Sequence, residues 1–149
     1  MAEYGRYGPL SLTWFVPGFY RVSSPYGPRV VGGVYGMHRG VDIGRNLSPA
    51  EGIEGKPIVA PRSGRVVSVA RGHASMGNMA ELDLGGGLVA RFMHCRSLAV
   101  TPGQFVARGE AVAAAGNTGR STAAHVHAEF RQDGEYVDPA LLYPEILGA

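Results

Sequence analysis

From Lys56 onward the apolar positions come in short runs of strand length, each closed by turn residues. KPIVAP is followed by RVVSVA at 65–70 and MAELDL at 79–84. Three glycines at 85–87 break the chain before LVARFMH, so the two flanking runs are predicted to pair as a hairpin. VTPGQFV and ARGEAVAAAG supply a further turn and strand. HVHAEFR at 125–131 is the last clear strand, ended by Asp133 and Gly134, and PALLYPEIL is read as a terminal helical turn. The first 23 residues differ. Tyr4, Tyr7, Trp14, Phe15, Phe19 and Tyr20 stand among prolines and glycines with no helical period. This predicts an extended aromatic lead-in over 1–23 whose rings cover a core in preference to lining a groove. SPYGPR at 24–29 reads as a turn-rich segment, and no internal repeat is visible.

Composition narrows the architecture. A chain of 149 residues with 45% apolar content can bury one continuous core, which predicts a single domain over 24–149 behind the lead-in. The 23 glycines and 10 prolines are spread along the chain, as many tight turns between short strands require. The expected class is therefore all-β and mostly antiparallel. The net charge of +2 is dispersed, and Lys56 is the only lysine among 14 basic residues. That balance argues against a nucleic-acid partner and would not repel an anionic cell wall. Cys95 stands alone, which excludes an intramolecular disulfide and a cysteine-based zinc knuckle. The N-terminus has an early acidic residue, two prolines and no apolar run of signal-peptide length, and nowhere do 18 apolar residues occur together. Neither a classical secretion signal nor a membrane span is expected.

The histidines carry the chemistry. Four of the five fall in short segments with metal-site spacing, His73 being the exception. His38 and Asp42 form an HxxxD pair, HRGVD. On a flat strand their Cα atoms would be roughly 13 Å apart, too far for two donors that must each lie about 2 Å from one ion. As ligands they would require the backbone to bend, which Gly40 between them allows without a Cβ penalty, but the HxxxD pair taken alone reads more readily as a surface His and Asp. His125 and His127 form an HxH pair, and residues i and i+2 project from one face of a strand. Two imidazoles on one face repel when both are protonated, which favours a metal or a catalytic purpose over a structural one. His94 ends a predicted strand, and taken alone it is as readily a core-edge imidazole. Its neighbour Cys95 would point to the opposite face, so a cysteine–histidine nucleophile is disfavoured.

Together these features resemble the M23 metallopeptidases, the lysostaphin-like and LytM-like cell-wall endopeptidases. The resemblance spans about residues 14–139 and includes SPYGPR, HRGVDI, PIVAPRSGRVV, VTPGQFVARGEAVAAAGNTG, HVHAEF and YVDP. It implies a β-sandwich-like fold with an open groove. It also implies one zinc ion held by His38, Asp42 and His127, with His94 and His125 as the catalytic pair. Three protein ligands leave a fourth position for water, as a catalytic zinc needs. The implied reaction is zinc-assisted hydrolysis of an amide in a peptidoglycan stem or cross-bridge peptide, with glycine or D-amino acids near the cut. Glu129 is a candidate partner for the ligand His127, and Asn117 and Thr118 are candidates for the border of the substrate groove.

The chain departs from the family at Phe92 and Met93, where Tyr-Ala is usual, and at Ala128, where an aromatic is usual. The stretch GRNLSPAEGIEGK is longer than the usual loop and reads as a groove wall, a lid or a disordered insertion. A phage or prophage lysis enzyme, released by lysis or carried on a virion, is the expected setting. The rival classes are a non-catalytic virion or envelope scaffold and a zinc-dependent peptide binder.

Overall fold

The fold is described here from a computed structural model covering residues 12–148. Tyr4 and Tyr7 of the predicted lead-in lie outside these residues. Fifteen strands follow in chain order: β1 Val22–Ser24, β2 Gly27–Val31, β3 Val34–His38, β4 Val41–Ile43, β5 Asn46–Leu47, β6 Ala50–Glu51, β7 Pro57–Val59, β8 Gly64–His73, β9 Gly77–Asp83, β10 Leu88–Cys95, β11 Ser97–Leu98, β12 Phe105–Val106, β13 Ala111–Ala114, β14 Val126–Gln132 and β15 Glu135–Val137. A 3-10 turn at Pro139–Leu141 and a four-residue helix, Pro144–Leu147, close the chain. Every strand pairing is antiparallel. The all-β antiparallel expectation therefore holds, and the glycines at 85–87 do turn β9 back into β10.

The main sheet runs β1-β4-β14-β10-β9-β8-β12, and β15 pairs with β14 beyond the end of β4. Strand alternation splits its side chains between two faces. Ala80, Leu82, Ala90, Phe92, Ala128 and Phe130 point into the core and are fully or almost fully buried. The other face carries Glu81, Arg91, His127, Glu129 and Arg131, at alternate positions of the same strands. A smaller sheet, β11-β13-β7, contributes Ile58, Val112 and Ala113 to the same core.

The aromatic segment before β1 packs as core. Phe15 is wholly buried, with ring centroids 5.5 Å from Phe92, 6.1 Å from Phe130 and 5.8 Å from Tyr143. Trp14 and Phe19 are buried beside it, and Trp14 Nε1 donates to the Phe19 carbonyl at 2.8 Å, so its polar edge is satisfied. Tyr20 is exposed.

Two hairpins did not declare themselves in the sequence. Strands β2 and β3 form one, joined at Gly32 and Gly33, inside what reads as a turn-rich segment. Strands β5 and β6 form the other within the long 44–56 stretch. That stretch is tied down by the buried Ile53 and by an Asn46 hydrogen bond to the Gly18 carbonyl.

Candidate metal centre and cleft

The HxxxD segment bends as the donor distances demand. His38 is the last residue of β3, the chain breaks at Arg39 and Gly40, and Asp42 sits in the middle of β4. The role of Gly40 is different from the one expected. It is not among the left-handed glycines. Instead, a Cβ there would lie 2.5 Å from the Ala128 carbonyl oxygen and 2.8 Å from the His127 ring. Space, not dihedral freedom, requires glycine, because β4 runs directly beside β14 with Asp42 opposite His127.

Three donor atoms converge as a result. Asp42 Oδ1 lies 2.7 Å from His127 Nδ1 and 3.4 Å from His38 Nε2, and the two nitrogens are 3.3 Å apart. Ligand atoms about 2.0–2.2 Å from a tetrahedral ion stand roughly 3.3–3.5 Å from one another. Two of the three separations match that spacing. The third, shorter one is a hydrogen-bond length. The three residues could hold a metal ion.

The partners of the remaining ring nitrogens settle which atoms carry hydrogen. His38 Nδ1 is 2.8 Å from the Pro25 carbonyl oxygen, which can only accept, so Nδ1 holds the hydrogen and Nε2 is bare. His127 faces a carboxylate through each ring nitrogen, Glu129 through Nε2 at 3.0 Å and Asp42 through Nδ1 at 2.7 Å, so without a metal both nitrogens hold hydrogen and a metal ion would take the place of the Nδ1 hydrogen. With that hydrogen removed, two bare nitrogens and a carboxylate oxygen would face one another within 3.4 Å. That arrangement is repulsive unless a cation or a proton lies between them. The donor set therefore fits a divalent ion such as zinc.

Without a metal the proton plays that part. Burial would lower the His127 pKa, but hydrogen bonds to Asp42 and Glu129 and their charges outweigh it and raise the value to about 9. Burial would raise that of Asp42, yet hydrogen bonds to His127 and His38 hold it far below the usual carboxylate range.

His94 and His125 stand over this centre. Their ring centroids are 4.9 Å apart, and His125 Nε2 is 3.8 Å from Asp42 Oδ1. Each is anchored through Nδ1 to a backbone carbonyl at 2.8 Å, that of Thr118 for His94 and that of Ala123 for His125. In the neutral ring this tautomer leaves Nε2 as the acceptor. His125 lies just before β14 and is held by a bridge to Gly116, so the HxH geometry comes from a strand and its entry and not from one strand alone. His94 has φ +63°, in the left-handed region rarely used by residues other than glycine, at the irregularity where β10 slips register against β9. Burial, followed by the charges of His125 and His127, keeps its pKa below the ordinary histidine value, against the opposing Thr118 hydrogen bond. Cys95 beside it is buried, and that burial pushes its thiol up to about 12. It takes no part in the cleft.

A cleft of about 530 Å³ opens over the centre. His38, Asp42, His94, His125 and His127 all line it, together with Arg29, Arg120, Ser75 and Met93 among others. Thr118 does not. It sits behind His94, binding it through its carbonyl while its hydroxyl donates to the Cys95 carbonyl at 2.7 Å. Asn117 is exposed and also lies outside the lining. The 44–56 stretch contributes no lining residue, so it is neither wall nor lid of this cleft, and it is ordered into the β5–β6 hairpin.

Glu129 continues into a row of charges that sequence reading missed. Arg91 lies opposite both Glu129 and Glu81 in strand register, and Ser68 lies opposite Glu81. The Arg91 guanidinium meets Glu81 at 2.9 Å and Glu129 at 3.9 Å, Arg131 also bonds Glu81, and Ser68 Oγ donates to Glu81 at 3.1 Å. Alternation within β14 exposes Glu129 and Arg131 on the His127 face, but pairing them with Glu81 and Arg91 needs the register of three strands.

Comparison with known proteins places the chain. A family model described as Peptidase family M23 matches residues 36–139. An uncharacterized metalloprotease of Haemophilus influenzae is 37% identical over 122 residues, which cover 80% of this chain and 24% of that protein. The peptidoglycan DD-endopeptidase ShyA of Vibrio cholerae is 31% identical over 122 residues, covering 80% of this chain and 26% of its own length. The chain thus spans about a quarter of these curated relatives. Among solved structures, a zinc-containing peptidase from Vibrio cholerae superposes with TM-score 0.74 at 28% identity, over 87% of this chain and 39% of that one.

Proposed function

The chain belongs to peptidase family M23, and from that premise we propose that it is a zinc-dependent endopeptidase hydrolysing stem or cross-link peptides of bacterial peptidoglycan. The observation that carries the reading is the convergence of three donor atoms, from His38, Asp42 and His127, beneath two imidazoles each anchored through Nδ1 to a backbone carbonyl. The zinc-containing peptidase of Vibrio cholerae supports the choice of ion, and ShyA supports the substrate. A scaffold that only kept the fold would have no need of all five side chains, and all five line the cleft.

His38 and His127 are the proposed imidazole ligands and Asp42 the carboxylate ligand. A zinc ion bound there would lower the pKa of water toward neutrality and polarise the scissile carbonyl. His94 and His125 are the proposed catalytic pair. His94 is held neutral near pH 7 by burial and by its histidine neighbours, so its Nε2 is able to accept a proton from the attacking water. A new carbon–oxygen bond forms at the amide carbon as that proton leaves. The protonated imidazole, or His125 beside it, then donates to the tetrahedral oxygen or to the departing nitrogen as the carbon–nitrogen bond breaks. Glu129 accepts the hydrogen on His127 Nε2, which leaves Nδ1 for the metal.

The test is release of new amino groups from purified peptidoglycan, with a chelator and with zinc added back, for the wild type and His125→Ala. Activity lost on chelation, restored by zinc, and reduced about 10²–10⁴-fold in a variant that still binds one zinc is the expected result. No release from walls of several chemical types, with one equivalent of zinc present, would overturn the reading.

A further inference from the structure

The charges of the cleft say more about the substrate than the centre itself does. The lining contains two arginines, Arg29 and Arg120, and among the described residues a single carboxylate, that of Asp42. Asp42 is already engaged by His127 and His38. Arg29 comes no nearer to it than 3.9 Å and makes its hydrogen bond to Ser24 Oγ, at 2.7 Å. The Arg120 guanidinium has no ion pair or side-chain hydrogen bond among the described residues, although its backbone is fixed by a 2.9 Å bond to the Ser75 carbonyl. That anchoring is tight. The preceding Gly119 packs so closely on Gly77 that a Cβ would fall 2.4 Å from the Gly77 nitrogen.

On the main sheet two arginines are matched. Arg91 and Arg131 both bond Glu81, and Arg91 also approaches Glu129. Two guanidiniums against one carboxylate leave the cleft with one uncompensated positive charge when its histidines are neutral, and a divalent ion would add to it. A guanidinium offers two parallel N–H groups, the geometry that a carboxylate accepts best.

Building on the peptidase reading, we propose that Arg120, with Arg29 of the β2–β3 hairpin lining the same cleft, binds a free carboxylate carried by the substrate peptide next to the scissile amide. The cleft is thereby selective for acidic stem peptides over neutral oligoglycine bridges and over stems whose carboxylate is amidated.

The experiment separates this inference from catalysis by measuring binding. Calorimetric titrations with synthetic stem peptides, identical except for a free or amidated carboxylate beside the scissile bond, are made on the zinc-supplemented and the chelated chain. The same titrations are repeated for Arg120→Gln, Arg29→Gln and the double variant. The free acid should bind about tenfold more tightly than the amide at low salt, with the gap shrinking as ionic strength rises. Arg120→Gln should remove most of the gap and the double variant the rest, the loss falling on the free acid more than on the amide. Equal affinity for acid and amide in the wild type overturns the proposal. So does a preference that survives both substitutions but vanishes on chelation, which would put the carboxylate on the metal. Discrimination that follows the arginines while no peptide is cut would leave the recognition site standing and sink the peptidase reading.

Discussion

Two charged clusters share one face of the main sheet, and they are completed in opposite ways. The row Ser68, Glu81, Arg91, Glu129 and Arg131 sets two carboxylates against two guanidiniums, so its charges cancel within the protein. The His38–Asp42–His127 group sets two imidazole nitrogens against a carboxylate oxygen, so a proton or a metal ion from solution must complete it. Both use cross-strand register to bring distant residues together. The difference lies in the side chains chosen, and it teaches where to look for a ligand: at the cluster whose own partners do not balance it. Glu129 joins the two, with one oxygen toward His127 and the other toward Arg91.

The sharpest way to break the comparison is to remove the anionic donor. Asp42→Asn should keep the fold but weaken zinc binding by more than the roughly 10–100-fold that loss of an outer-shell partner costs, measured by competition with a chromophoric chelator. Unchanged affinity would mean that the convergence is not the metal site. Next, Glu129→Ala should lower zinc affinity by about 10–100-fold, because His127 loses the partner that fixes its tautomer. Arg91→Met should do something different. Leaving Glu81 and Glu129 under-compensated, both of them largely buried, should cost about 2–4 kcal/mol in chemical denaturation, while zinc affinity stays within a few-fold of wild type. If Arg91→Met reduced zinc affinity as much as Glu129→Ala, the row and the centre would be one unit.

The smallest effect is on pH dependence. The raised His127 pKa means that, without metal, its contribution to stability is complete below the unfolded value of 6.5 and is lost as pH rises toward about 9. The depressed Asp42 pKa means that its contribution is present above 3.8 and is lost only in stronger acid. Scanning calorimetry of the chelated chain should therefore show Tm falling by a few degrees between pH 6.5 and 9. Zinc should flatten or reverse that fall, since the metal replaces the same proton. A chelated chain whose Tm is flat across this interval would mean that no proton is held between His127 and Asp42.

The two histidine motifs were visible in advance, but which of their side chains would converge came from the family resemblance and not from spacing. The groups that orient those donors were not legible. The carbonyls of Pro25, Thr118 and Ala123 fix three of the four imidazoles, and a carbonyl is present at every residue, so identity carries no signal. Gly40 was visible as a glycine, but its reason, the nearness of Ala128 and His127, exists only once β4 and β14 are paired. In the fold, the runs after Lys56 appeared as strands because they alternate or stay apolar. The β2–β3 hairpin hid because Val30, Val31, Val34 and Tyr35 are all exposed and leave no one-sided pattern.

The aromatic core gives the centre an independence worth using. Phe15, Phe92, Phe130 and Tyr143 pack on the opposite face of the sheet from the ligands, and the ligand rings are braced by hydrogen bonds to the protein itself. In small zinc fingers the metal is the folding energy, and a chelator unfolds the chain. A core packed on the other face should hold the fold when the ion is chelated, and the metal should then be exchangeable by dialysis. Cobalt, which is coloured where zinc is silent, could then report on the ligand field as substrate enters.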